Sequence, residues 1–150
     1  EVMAMVRKGE IQGPIYYLAG DIHKIALLEV IDRHRYDSLV KEDGVLCHTN
    51  TLILKDMRDL NQKIGVSSQA RLNRIKKLIG EDPLTKDKFI AYTQDHFNGP
   101  GNNSICRHFE REVRGSERTV SAAVYTLRKG EAPEIWVSLG QPCQLIFEKH

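Results

Sequence analysis

Two apolar stretches rich in β-branched and aromatic residues, Ile15 to Ala19 and Ile25 to Ile31, are separated only by Gly20-Asp21-Ile22-His23. So short a connection suits a tight reversal and not a helical crossover, so the two segments read as an antiparallel β-hairpin. Gly13-Pro14 ahead of them breaks any helix that continues from the start of the chain. Val45 to His48 reads as a third strand. Glu29 falls inside the second strand, in Leu27-Leu28-Glu29-Val30. A carboxylate there is either on a solvated face or buried with a partner, and alternation leaves both open.

The middle of the chain changes period. Asp56 to Lys63 is charged and reads as a helical turn or a loop. Ser67 or Ser68 is placed to cap a following helix, in which Leu72, Ile75, Leu78 and Ile79 share one face and Gly80 supplies the stop. The same face analysis leaves Arg74 and Lys77 in solvent. Thr85 is placed to cap a second helix running to about His96, with Leu84 and Phe89 as a hydrophobic staple. Asn98 to Asn103 is a loop signal. Thr119 to Leu127 and Glu134 to Leu139 then alternate as paired strands, and Gln144 to Phe147 reads as a last short strand. Strands, then helices, then strands indicate an α+β fold, an antiparallel sheet with two packed helices, rather than alternating parallel units.

The 150 residues bound this to a single domain, 1–150. A chain that is 41% hydrophobic and 28% charged is that of a soluble globular protein. A net charge of +2 gives no reason to expect nucleic acid or an anionic membrane as partner, and no apolar run is long enough to span a bilayer. Three cysteines without a CxxC pair speak against a disulfide framework and for a reducing, cytoplasmic compartment. Glu1 to Val6 reads as the tail of a helix cut from something longer.

Chemistry concentrates at Gly44 to Asn50, where Val45-Leu46-Cys47 is followed at once by His48-Thr49-Asn50. Three polar side chains leaving a strand end are rigidly held for binding. The Asn50 carboxamide donates without carrying charge, so it suits a developing oxyanion; the alternative is that the three residues satisfy backbone groups at a turn. Other readings compete. Cys47-His48, Asp95-His96 and Cys106-Arg107-His108 offer metal-ligand types, but without the paired short spacings usual for zinc. Any of the three cysteines is a candidate nucleophile of a Cys-His hydrolase, though Cys47 and Cys106 sit among apolar neighbours as small buried hydrophobes do. Arg71, Arg74, Lys76 and Lys77 make one helix basic, either as a solvated face or as a phosphate or nucleic-acid contact. A Gly-rich phosphate loop is missing.

His48-Thr49-Asn50 resembles the HTN segment of the isopenicillin-N acyltransferase family, acyl-CoA:6-aminopenicillanic acid acyltransferases and their relatives. Tyr17 to Asp21 with Leu28-Glu29 is similar to the hairpin before that segment. Ser67-Ser68 with Arg71, Asp95-His96, Ser104-Ile105-Cys106-Arg107-His108, and Trp136 to Cys143 with its G-x-P-C turn follow in the family's order. The resemblance implies an autoproteolytic N-terminal-nucleophile hydrolase or acyltransferase of the cysteine type. This chain would be the C-terminal half of its αββα sandwich. An amide or thioester substrate, with acyl-CoA among the candidates, would react through a thioester. The base would be the nucleophile's own α-amino group, whose pKa is ordinarily near 8. Asn50 matches the oxyanion donor, His48 and Thr49 flank it as binding residues, and Arg118 is the nearest match to a functional arginine, with Glu117 and Ser116 as the alternative alignments at that position. Thr51-Leu52 departs from the usual His-Phe. The nucleophile would lie on a missing N-terminal half, and a homo-oligomer is a further option. No cofactor, metal, nucleic acid or membrane is implied. The rival from another class is a non-enzymatic small-molecule or protein-interaction domain that keeps the half-fold.

Three structural expectations follow. Apolar surface should be exposed around Ile15 to Leu18 and Val120 to Val124. The cysteines should be reduced and bind no metal. The Asn50 carboxamide should face the cleft, with Arg118 approaching the same region.

Overall fold

The first hairpin forms as the sequence predicts. In the computed structural model, which describes residues 2–11, 13–60, 65–80, 83–97 and 99–150, β1 (Ile15–Gly20) pairs antiparallel with β2 (Ile25–Asp32) in the register Tyr17↔Leu28. The reversal is held by the Asp21 carboxylate, which accepts the His23 and Lys24 amides at 2.7 and 2.9 Å. Residues gather into two compact units, 1–65 and 66–150.

In the first unit the third strand is not where the sequence suggested. β3 is Arg35–Lys41, and Val45 to His48 is irregular chain. Arg33-His34 closes a two-residue turn in which the Asp32 carboxylate accepts the His34 and Arg35 amides. The segment next in sequence takes the open edge of β2 because its closure costs least. The sheet order is therefore β1-β2-β3, with α1 (Val2–Lys8) preceding it.

Strand β2 is buried on both faces, which explains its nearly continuous apolar run. Leu28 and Val30 pack with Val6 of α1 on one side. On the other, Leu27 packs with Leu54 and Met57, and Leu46, Leu52 and Leu60 join them. Glu29 has the parity of Leu27, so it lies under the segment that carries residues 46–60.

The second unit holds α2 (Val66–Ile79), α3 (Lys86–Thr93) and a separate sheet in the order β4-β5-β6. Its strands are β4 (Ala122–Thr126), β5 (Glu134–Ser138) and β6 (Glu148–Lys149). The fold is thus α+β, but the described residues form two three-stranded antiparallel sheets and three helices in place of one sheet and two helices. Thr85 caps α3 by accepting the Lys88 amide, as its sequence position suggested. The helix stops at Thr93 instead of His96, where Thr93 donates back to the Ile90 carbonyl and the Gln94 amide closes the last turn. Ser67 and Ser68 lie inside the first turn of α2 rather than capping it. The turn at Gly140 continues through a Gln144–Gln141 backbone bond, so the last strand starts at Glu148 rather than Gln144. Arg58–Leu60 is a short 3-10 turn, and residues 61–63 of the charged stretch lie outside the described residues.

Leu72 is the apolar residue that α2 buries, at 2% exposure, with Ser68 buried beside it, whereas Ile75, Leu78 and Ile79 are half-buried. Leu72→Ala is expected to cost about 2–5 kcal/mol in denaturant unfolding, and Ile75→Ala less than Leu72→Ala. Equal losses would mean that Ile75 carries as much core as Leu72. Arg74 is not solvated: it forms a bidentate pair with Asp95 at 3.0 and 2.6 Å and lies over the Phe97 ring. Ile15, Tyr16, Leu18 and Val120 are exposed, but Val124 is buried. No helix among the described residues is long and apolar enough to cross a membrane.

Candidate functional site

Glu29 organises the first unit's polar chemistry. Its side chain is wholly buried, with one oxygen 2.7 Å from His48 Nε2 and from the Ile53 amide, and the other 3.1 Å from the Leu54 amide. Burial would push this carboxyl up, but the hydrogen bonds from His48, Ile53 and Leu54 outweigh it and hold the group below its ordinary value of 4.5. An ionised carboxylate only accepts, so the His48 proton sits on Nε2. His48 Nδ1 is buried without a hydrogen-bond partner among the described residues. Tyr16 packs on the imidazole, with ring centroids 4.1 Å apart. The segment after Cys47 thus uses a side chain of β2 as its hydrogen-bonding anchor, in place of a strand ladder.

Beside this anchor lies a cleft of about 780 Å³, walled by Ile15, Tyr16, Leu52 and Leu60 and carrying His48, Asn50 and Arg35. That volume suits a small organic ligand. Arg35 is fixed by Asp32, with two guanidinium nitrogens at 2.8 and 2.6 Å from one oxygen. Of the three polar residues singled out in sequence, His48 and Asn50 therefore line the cleft and Thr49 is buried. Arg118 belongs to the second unit and is exposed there, next to Glu117, which pairs with Arg107.

In the second unit, His96, Cys106, His108 and Cys143 come together from three loops, with their ligand atoms all within 4.8 Å of one another. Cys106 is fully buried, and that burial pushes its thiol up to about 11, far from the range of reactive thiolates.

Residues 1–144 match the family described as acyl-coenzyme A:6-aminopenicillanic acid acyl-transferase. The chain belongs to this family. No curated protein matches it significantly. In this member of the acyl-transferase family, His48 and Asn50, which the sequence singles out by their position after a short apolar run, line the same cleft. Sequence pattern leaves Glu29 undecided and misses Tyr16, Arg35 and the fourth member of the Cys-His cluster, Cys143. The signal for Glu29 was its isolation in an apolar strand, since such a carboxylate is rarely buried without partners. Nothing local marked Arg35, which reads as an ordinary turn residue.

Proposed function

We propose that this chain furnishes the acyl-binding cleft and oxyanion donor of an autoproteolytic N-terminal-nucleophile amidohydrolase or acyltransferase of the cysteine type. In the reaction the cysteine thiolate attacks the carbonyl of a small amide or thioester. The leaving amine or thiol departs with a proton, and water or an amine then cleaves the thioester acyl-enzyme. Asn50 would donate to the oxyanion in both tetrahedral steps. His48, locked by Glu29, would line the acyl pocket, with Thr49 supporting the turn between them. Arg35 would take an anionic group of the substrate, such as the carboxylate of an amino acid or a phosphate of acyl-CoA. Arg118 would support the substrate or the nucleophile loop.

The observation that carries this reading is that Asn50 lines one cleft with an imidazole held rigid by a buried carboxylate, in a member of an acyl-transferase family. The nucleophile would be supplied by a further segment of the full-length protein, completing the αββα sandwich over apolar residues such as Ile15 and Leu18. The three cysteines here lie inside the chain, where their amino groups are peptide nitrogens, so none as it stands offers the α-amino base that this reading requires. The test is to trap the acyl-enzyme of the full-length protein with an acyl thioester and locate the label by mass spectrometry. A label on an N-terminal cysteine generated by self-cleavage is expected. A label on Cys47, Cys106 or Cys143, or binding without any label, would overturn the reading.

A further inference from the structure

The Cys-His cluster of the second unit has a geometry that hydrogen bonding does not account for. His108 Nε2 lies 3.0 Å from His96 Nε2, 3.4 Å from Cys143 Sγ and 3.9 Å from Cys106 Sγ. A ring nitrogen offers one proton or one in-plane lone pair, so it cannot serve three heteroatoms equally. A cation among them serves all four. Zinc bonds of about 2.0–2.1 Å to nitrogen and 2.3 Å to sulfur, set at tetrahedral angles, place ligand atoms roughly 3.4 Å (N to N) and 3.6 Å (N to S) apart. The three separations fall within about 0.4 Å of those edges. The two imidazoles meet edge to face at 70°, which leaves both Nε2 atoms aimed into the cluster.

The loops that bring these residues together are tied to one another. The Cys106 amide donates to the Asp95 carbonyl, beside His96. The Gln94 side chain donates to the carbonyl of Pro142, beside Cys143. The Gln141 side chain donates to the carbonyl of Arg107, between Cys106 and His108. Asp95 is in turn clamped by Arg74. Backbone supports of this kind hold ligands in place before the ion arrives.

We propose that His96, Cys106, His108 and Cys143 bind one zinc ion in a closed tetrahedral site that fixes three loops of the second unit. Two imidazoles and two thiolates in a tetrahedron favour zinc over calcium or magnesium, which want oxygen. With four protein ligands the ion has no open position, so its role is structural and not catalytic. This reverses the sequence expectation of no metal, which rested on ligand spacing. The site does not depend on the enzymatic reading above.

The experiment measures metal in the full chain, expressed without an affinity tag in zinc-supplemented medium. One zinc per chain is expected by elemental analysis. Cobalt exchanged into the site should show tetrahedral absorption with thiolate charge-transfer bands. Cys143→Ser and His96→Ala should each lower zinc retention at least tenfold, while Cys47→Ser keeps it unchanged. If a variant fails to fold, the wild-type chain still decides: two thiols should resist alkylation until a chelator removes the ion. A folded chain with no stoichiometric zinc, zinc that follows Cys47 instead, or a Cys106–Cys143 disulfide in place of two thiols would each overturn the proposal.

Discussion

Replacing Asn50 with Asp is expected to lower turnover of the full-length, self-cleaved protein at least a hundredfold at pH 7. Asp keeps the size of the side chain but removes the NH2 donor and sets a negative charge against a developing one. Loss of a single oxyanion donor costs about 2.7–4 kcal/mol of transition-state stabilisation, and the added repulsion acts in the same direction. The loss should fall on kcat more than on KM, because the donor is needed most when the carbonyl oxygen carries charge. Folding should survive, since Asn50 is exposed in the cleft rather than buried. Turnover within a few-fold of wild type would reduce Asn50 to a turn residue and remove the functional reading of His48-Thr49-Asn50.

Glu29→Ala is expected to produce the largest stability loss in the first unit, about 3–5 kcal/mol, because buried donors that share this one acceptor each cost about 1–3 kcal/mol when left unpaired. The variant would leave His48 Nε2 and the amides of Ile53 and Leu54 facing apolar surroundings without an acceptor. The same carboxylate makes a pH prediction. Its folded pKa lies below its ordinary value of 4.5, so its stabilising contribution is present in full above that value. The contribution is lost as pH falls through the folded pKa, when the unfolded chain has already taken up the proton. Wild type should therefore lose stability on acidification below about pH 4.5 more steeply than Glu29→Gln does. Denaturant midpoints measured across that range check it; parallel slopes for the two proteins would show that Glu29 is not the group responsible.

The parts of the fold legible in the sequence are those in which local pattern and tertiary role agree. The strands β1, β2, β4 and β5 announce themselves through β-branched alternation and turn residues, and Thr85 and Gly80 mark helix ends by their own chemistry. The third strand is hard to read because Arg35 to Lys41 is an edge strand with polar side chains, and an edge needs little apolar character to pair. Val45 to Cys47 reads as a strand because it is apolar, but in the fold Leu46 spends that character on packing against Leu27 and its neighbours. The candidate site was half legible. Asn50 follows from its place in sequence, whereas the partner that fixes its neighbour His48 lies 19 residues away on another element. The Cys-His cluster was harder still, since Cys106 and His108 are its one close pair and the other two members come from separate loops.

The ties among those loops bear on how the protein assembles. In the first unit the sheet grows by two successive hairpins, so each pairing joins chain that is already adjacent. In the second, the bond from Gln94 to Pro142 spans 48 residues and that from Gln141 to Arg107 spans 34. Both enclose the β4–β5 hairpin within the loop they close. Folding rates fall as contacting residues lie farther apart in sequence, because the entropy of closing the loop is lost before the contact repays it. The hairpin pairings of both sheets are therefore the local contacts of the fold, and the ties among the Cys-His loops of the second unit are the ones that carry the larger loop-closure cost.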